Sequence, residues 1–359
     1  MMRAYNFSAG PAILPEEVLE EVQSELLDYK NSGMSIMEVS HRGKEYSAIH
    51  EETISNIKEL LNIPDGYSVL FMTGGASSQF SLVPLNLLGK NEVADYTNSG
   101  AWSKKAIKEG LMIGNINVVA DCSSEIPTRV PSISECNFSN NAAYLHITSN
   151  ETISGAQWKL FPESNVPLVA DMSSDILSKP LDISKFGLIY AGAQKNLGPA
   201  GITLVIIKDE LAKKCSDDVP TIFQYKTFID NNSLFNTVPT FPVYVLCLVT
   251  RWLKKQGGLS EMNKLNLQKA NKLYEIIDRS DFYKGTAVNE CRSLMNITWR
   301  IQNEELESVF INEAEKNNLK TLKGHRSVGG LRASIYNAFP IEGVNKLVSF
   351  MNDFELKYG

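Results

Sequence analysis

The chain has 359 residues, 43% of them hydrophobic and 21% charged, with a net charge of −6. That balance fits a folded globular protein and excludes a disordered one. Thirty-five basic residues against forty-one acidic ones leave no global positive field, so no nucleic-acid partner is expected. The longest apolar stretch, Phe241 to Val249, is far short of the ~20 residues a bilayer requires. No membrane partner is expected either. The opening MMRAYNFSAGPAILPEE lacks a signal-like apolar block, and a cytoplasmic location is expected. The five cysteines (Cys122, Cys136, Cys215, Cys247 and Cys291) form no CxxC pair. They suggest neither a zinc site nor a disulfide framework, and a helical His50-Glu51 without a second histidine four residues on excludes HExxH zinc binding.

In chain order, Pro15-Glu16-Glu17 opens a helix, with acids at the positive end of the dipole and Val18, Val22 and Leu26 at i+4 spacing. A second helix carries Tyr46, Ile49, Ile54, Ile57 and Leu61 and stops before Pro64. Val69 to Met72 reads as a strand, closed by a turn over Thr73-Gly74-Gly75-Ala76-Ser77-Ser78 and a helix start. Trp102 is expected in a loop after a short strand-like run, and Lys104-Lys105 on a solvated helix face. Further strands are expected over 117–120, 142–147, 167–170, 188–191 and 202–207. Most are short and continuously apolar, as for strands buried on both faces. The class is α/β with a mixed, mostly parallel sheet. An amphipathic helix over 241–255 ends at Gly257-Gly258, read as a boundary. Beyond it a helix (260–277), a strand (295–300), a helix (305–317), a strand near 332–336 and a last helix (342–354) make a smaller α+β unit. The expected division is a large domain over 16–257 and a small one from 1–15 with 258–359.

Four segments could carry chemistry. In IYAGAQKNLGPAG, Lys195 stands at a strand end among small residues. Desolvation there would lower its pKa and make it a nucleophile toward an aldehyde, although the segment alone favours a surface lysine in a turn. In LVADMSSDIL, Asp171 ends an apolar strand, where open α/β sheets bind ligands. It could hold a pyridine nitrogen protonated, or simply cap a helix. The turn at Gly74–Ser78 offers free backbone N–H groups to a phosphate, without the spacing of an ATP-type loop. Finally, His41-Arg42 and His325-Arg326 lie beside glycines, and Arg332 stands in GGLRASIYN. Such donors suit a phosphate or carboxylate. Singly, each pair also reads as surface decoration.

Together, SAGPAILP, SHRGKEY, NLLG, NNAAYLHITSNETI, ADMSSDI, YAGAQKNLGPAG, FNTVPTF and GHRSVGGLRASIYNA fall in order from residue 7 to residue 338. On these blocks the chain resembles the phosphoserine aminotransferase family, class V aminotransferases of pyridoxal-phosphate fold type I. The resemblance implies pyridoxal 5'-phosphate as cofactor, with Lys195 binding its aldehyde and Asp171 paired with its ring nitrogen. It implies Trp102 stacked on the ring, Thr152 beside the ring oxygen, and Ala76, Ser77 and Gln194 at the phosphate. Asn236 and Thr237 would reach the phosphate of the partner subunit's cofactor, so a homodimer with shared sites is implied. His41, Arg42, His325 and Arg326 would bind the substrate's anionic side chain, and Arg332 its α-carboxylate. Some members carry arginine where Ser77 stands, which would shift phosphate recognition toward the two His-Arg pairs. Some carry serine where Ala9 stands, beside the substrate.

The implied reaction interconverts 3-phosphooxypyruvate and L-glutamate with O-phospho-L-serine and 2-oxoglutarate, in serine biosynthesis. The resemblance leaves open 4-phosphohydroxy-L-threonine, on the way to pyridoxal phosphate, as another substrate. The nearest rival is another fold-type I enzyme, such as a cysteine desulfurase, but no cysteine has an obvious setting for that role. A non-enzymatic anion-binding protein is a rival of another class. It has no need of Lys195, Asp171 and Trp102 together.

Overall fold

A computed structural model describes residues 3–359; Met1 and Met2, which the expected division assigns to the small unit, lie outside the described residues. A short strand β1 (Tyr5–Asn6) precedes helices α1 (Glu16–Glu25) and α2 (Lys44–Leu61). Strands and helices then alternate: β2 (Tyr67–Met72), α3 (Gly75–Leu87), β3 (Val93–Asn98), α4 (Ala101–Leu111) and β4 (Asn115–Asp121). Four strands follow on longer connections: β5 (Ala142–Thr148), β6 (Leu168–Asp171), β7 (Leu188–Gly192) and β8 (Thr203–Lys208). Helices α5 (Asp209–Ala212), α6 (Tyr225–Asp230), α7 (Thr240–Lys255) and α8 (Gly258–Asp278) complete this part. The remainder holds β9 (Tyr283–Gly285), β10 (Asn296–Ile301), α9 (Leu306–Lys316), β11 (Leu319–Lys320), β12 (Leu331–Ser334) and α10 (Ile341–Tyr358).

The central sheet has seven strands in the order β2-β8-β7-β6-β5-β3-β4. Neighbours are parallel except β8, which runs antiparallel to both β2 and β7. The sheet is therefore mixed and mostly parallel. Its apolar runs are continuous because both faces are covered. Along β7, Ile189 and Ala191 join the core beneath α2 and α7, while Leu188 and Tyr190 join the core beneath α3 and α4. Along β8, Leu204 and Ile206 alternate with Val205 and Ile207 in the same way. Period-two alternation between two apolar layers looks, in sequence, like no alternation at all.

A second sheet, β12-β10-β9, is antiparallel and packs with α8, α9 and α10 around Trp299, Phe310, Leu347 and Phe354. The N-terminal segment belongs with it: β1 pairs in parallel with β11, and Phe7 is wholly buried in that core. Helix α8 bridges the two parts. Leu259 and Met262 pack into the core of the large sheet, and Ala270, Leu273 and Ile276 into the second. Most elements match the sequence expectation to within a few residues at their ends. Trp102 differs: it stands in the first turn of α4, not in a loop. The helix is hidden from its N-terminal residues because Asn98-Ser99-Gly100 reads as a turn. Its first N–H groups are satisfied by a residue far along the chain.

Candidate active site

The parallel strands deliver their C-terminal ends to one edge of the sheet. The pairings of Thr148 with Asp171 and of Asp171 with Tyr190 show β5, β6 and β7 ending level. Ligands of open α/β sheets gather at such an edge. Asp171 is the last residue of β6, buried, with its Oδ1 accepting from Ser173 N at 2.9 Å and Ser173 Oγ at 2.6 Å. That turn holds the carboxylate in place. Ser173 Oγ also accepts from Gly192 N at 3.0 Å, linking the ends of β6 and β7.

Three residues past β7, Lys195 is half-buried, and its Nζ donates to Thr152 Oγ1 at 2.6 Å. The same Nζ lies 4.8 Å from the centroid of the Trp102 ring. Burial pushes the Lys195 amine down to about 8, against the pull of the Asp171 and Glu151 carboxylates. Burial raises Asp171, while the Lys195 charge and the Ser173 donors pull it down. The amine, the aromatic face and the hydroxyl thus meet at one point, with the buried acid near enough for its charge to act on the amine.

At the same edge of the sheet, two strands along from β7, Gly74 (φ +91°) and Gly75 (φ +65°) turn the chain sharply from β2 into α3. A side chain at Gly74 would overlap Ser78 Oγ. No side chain caps α3, and no acidic residue stands in its first turn. Its start therefore keeps both the free N–H groups and the positive end of the dipole that an anion needs. Ser77 is exposed there and lines a cavity of about 520 Å³ with Gly74, Ser78 and Asn236, while Ala76 is half-buried in the helix's first turn. Asn236 and Thr237 are both exposed on the segment before α7. Gln194 anchors the N-terminal segment through its backbone, its carbonyl accepting from Ala12 N at 2.9 Å.

The arginines separate cleanly. Of nine in the chain, Arg3, Arg129, Arg251, Arg279, Arg292 and Arg300 ion-pair with carboxylates. Among the described residues, Arg42, Arg326 and Arg332 pair with none, and these are the three that the sequence singled out. Arg332, on β12, is mostly buried; its Nη1 reaches Thr152 O at 3.3 Å and its Nε has no partner. Burial lowers His325, and the neighbouring charges of Arg332, Arg326 and Lys105 lower it further. Such a cluster of unpaired cations is costly without an anion. His41 and Arg42 stand before α2, half-buried and exposed respectively, with His41 Nε2 buried and unpartnered. Within one chain neither hydrogen-bonds nor ion-pairs with Lys195, Asp171 or Arg332.

Two residues escaped the sequence reading. Lys105 is exposed on the helix face, as expected, and its Nζ also lies 4.1 Å from the Trp102 ring centroid, a contact not foreseen. Their i, i+3 spacing would have shown this had Trp102 been placed on the same helix. Glu151 is wholly buried beside Thr152 and carried no sequence signal beyond its place in the NETI block.

The residues fit a planar ring bearing an aldehyde and a phosphate: an amine for the aldehyde, an indole face, a buried acid, and a bare helix start. The unpartnered Trp102 Nε1 and Arg332 Nε await acceptors of the kind that such a group and its substrates would bring. Among the described residues no group of side chains could hold a metal ion, and no helix is long and apolar enough to cross a membrane.

Comparison with known proteins agrees. The family model described as aminotransferase class-V matches residues 4–347. The phosphoserine aminotransferase of Geobacillus kaustophilus is 54% identical over 359 residues, covering 100% of both chains. The solved phosphoserine aminotransferase of Bacillus circulans subsp. alkalophilus superposes with a TM-score of 0.96 at 49% identity, covering 99% of each chain. The pyridoxal-phosphate-bound enzyme of Trichomonas vaginalis superposes at 0.94 with 40% identity, covering 98% of this chain and 100% of that one. The architecture is that of the fold type I pyridoxal-phosphate enzymes. With full-length relatives at this identity, the chain belongs to the phosphoserine aminotransferase family of the class-V aminotransferases.

Proposed function

We propose that this aminotransferase interconverts O-phospho-L-serine and 2-oxoglutarate with 3-phosphooxypyruvate and L-glutamate, in two half-reactions at one site. The cofactor, pyridoxal 5'-phosphate, supplies an aldehyde that carries the amino group and a ring that accepts electrons from the substrate carbon. The observation that carries this reading is the convergence on Lys195: Thr152 Oγ1 at 2.6 Å, the Trp102 ring at 4.8 Å, and the buried Asp171 carboxylate acting on its charge.

In this reading, Lys195 Nζ is the base that removes the proton from the substrate Cα and the acid that returns one. A pKa near 8 suits both tasks close to neutral pH. Asp171 holds a proton on the ring nitrogen, with Ser173 fixing its orientation. Trp102 covers the ring and excludes water from that face. The start of α3, with Ala76 and Ser77, and Gln194 hold the phosphate. Asn236 and Thr237 reach the phosphate in a partner subunit, so the working form is a homodimer. Arg332 clamps the α-carboxylate. His41, Arg42, His325 and Arg326 receive either a phosphate or a γ-carboxylate, which arginine and histidine donors do without demanding one geometry. Residues 16–257 form the cofactor domain, and 1–15 with 258–359 the smaller domain that brings Arg332 and the His325-Arg326 pair. The activity belongs to cytoplasmic serine biosynthesis.

One cuvette tests the reading. The visible band of the cofactor-loaded protein should bleach with phosphoserine and return with 2-oxoglutarate. A band indifferent to phosphoserine would discard that substrate while leaving the cofactor in place.

A further inference from the structure

Glu151 hydrogen-bonds to none of Lys195, Asp171 and Arg332, yet it is wholly buried. Its carboxylate accepts three hydrogen bonds from the start of α4: from Trp102 N at 3.0 Å, Ser103 N at 2.9 Å and Ser103 Oγ at 2.7 Å. The helix has no cap of its own, because Gly100 brings no side chain. Gly100 is bare for a reason: a Cβ there would come within 2.6 Å of Glu151 Cδ. Ser103 Oγ in turn accepts from Ser99 N and Gly100 N, both at 2.9 Å. One carboxylate therefore orders the whole turn that presents Trp102.

The backbone of Glu151 is equally fixed. Its N–H donates to Ala156 O and its carbonyl accepts from Gly155 N, both at 2.8 Å. The next residue is Thr152, whose Oγ1 accepts from Lys195 Nζ and whose carbonyl accepts from Arg332 Nη1. So Glu151 is joined to Trp102 through its side chain and to Thr152 through the chain. Resting on the cofactor assignment above, we propose that Glu151 is a positioning residue for the cofactor ring. Its carboxylate, shared by the start of α4 and the loop after β5, fixes Trp102 and Thr152 relative to Lys195. The phosphate seat at α3 is built independently of it.

That independence makes the test. Dissociation constants are measured for pyridoxal 5'-phosphate and for inorganic phosphate, on cofactor-stripped protein refilled under one condition. Glu151→Gln keeps the volume but has one acceptor oxygen for donors that now occupy two. It should weaken pyridoxal 5'-phosphate about tenfold or more, displace its visible maximum, and leave inorganic phosphate within about twofold. Equal losses for both ligands, or none for either, would overturn the proposal. If Glu151→Gln does not fold, Gly100→Ala decides: its methyl group pushes the carboxylate off α4 without changing any charge, and the same split is expected. A wild-type protein that takes up no pyridoxal 5'-phosphate would overturn the proposed function and this inference together. Normal wild-type binding with unaltered variants would overturn this inference alone.

Discussion

Lys195 shows how an ordinary side chain acquires chemistry from its surroundings. In water an amine is protonated up to about pH 10.4. Here burial brings it down to about 8, and the nearby Asp171 and Glu151 stop it from falling further. In the cofactor-free protein, labelling of Lys195 by an amine reagent, read by mass spectrometry, should therefore rise with a midpoint near pH 8. A midpoint above 10 would show that the site does not desolvate the amine. Lys195→Ala should abolish turnover while leaving the thermal midpoint of the cofactor-free protein within a few degrees, since Lys195 makes a single side-chain hydrogen bond. Retained steady-state activity would remove Lys195 from the mechanism. The unpaired arginines yield a second residue-level expectation. Arg42→Ala should weaken phosphoserine far more than alanine as amino donor, because only phosphoserine carries a side-chain anion. Comparing kcat/KM for the two donors reads this directly. Equal losses would refute a side-chain anion role.

At the scale of elements, α8 holds the turn between β12 and α10 through a buried lysine. Lys269 Nζ donates to the carbonyls of Ile335 at 3.0 Å, Tyr336 at 2.7 Å and Phe339 at 3.2 Å, just beyond β12 and its Arg332. Asn337 in that turn donates its N–H to Asn196 Oδ1 at 2.9 Å, one residue from Lys195. Burial pushes Lys269 down to about 7. Between about pH 7 and its unfolded value near 10.4, the unfolded chain binds the extra proton, so stability rises with pH across that window and is lost as pH falls through 7. Lys269→Met should cost about 2–4 kcal/mol by leaving buried carbonyls unpaired. The wild-type advantage should widen as pH increases from 7 toward 10, measured by denaturant unfolding at several pH values. A gap constant with pH would mean that Lys269 stays charged in the folded chain.

At the scale of the whole molecule, the site is assembled from both parts of the chain. Thr152 and Lys195 come from the large sheet's edge, while Arg332 arrives on β12 of the second sheet. Side-chain hydrogen bonds bind the parts, such as Asn150 Nδ2 to Asn296 Oδ1 at 2.8 Å and Asn337 Nδ2 to Leu177 O at 2.8 Å. Arg42 makes no such link within one chain. If it serves the site of a partner subunit, two inactive variants should complement. Mixing Lys195→Ala with Arg42→Ala under exchange conditions should restore about a quarter of wild-type activity toward phosphoserine, since random exchange makes half the dimers mixed, each with one intact site. No recovery, with exchange verified by mass, would place both residues in one subunit's site.

The sequence by itself determined the class of fold, the order of most central strands and long helices, and the candidates for the site. Apolar runs as continuous as 188–191 and 202–207 demand a sheet covered on both faces, and motifs spread from residue 7 to residue 338 carry the family resemblance. The first turn of α4, with Trp102, was not legible, because its N-terminus is capped by Glu151, forty-eight positions from Ser103, and local signals cannot show a distant cap. For the same reason the contact of the exposed Lys105 with the Trp102 ring was not foreseen. The burial that brings Lys195 to about 8, and the lack of carboxylate partners that leaves Arg332 free, depend on what long-range folding places around each charge. Residue type sets which chemistry is available to a side chain. Desolvation and unpaired charge, which arise only when distant segments pack together, decide which side chains can use it.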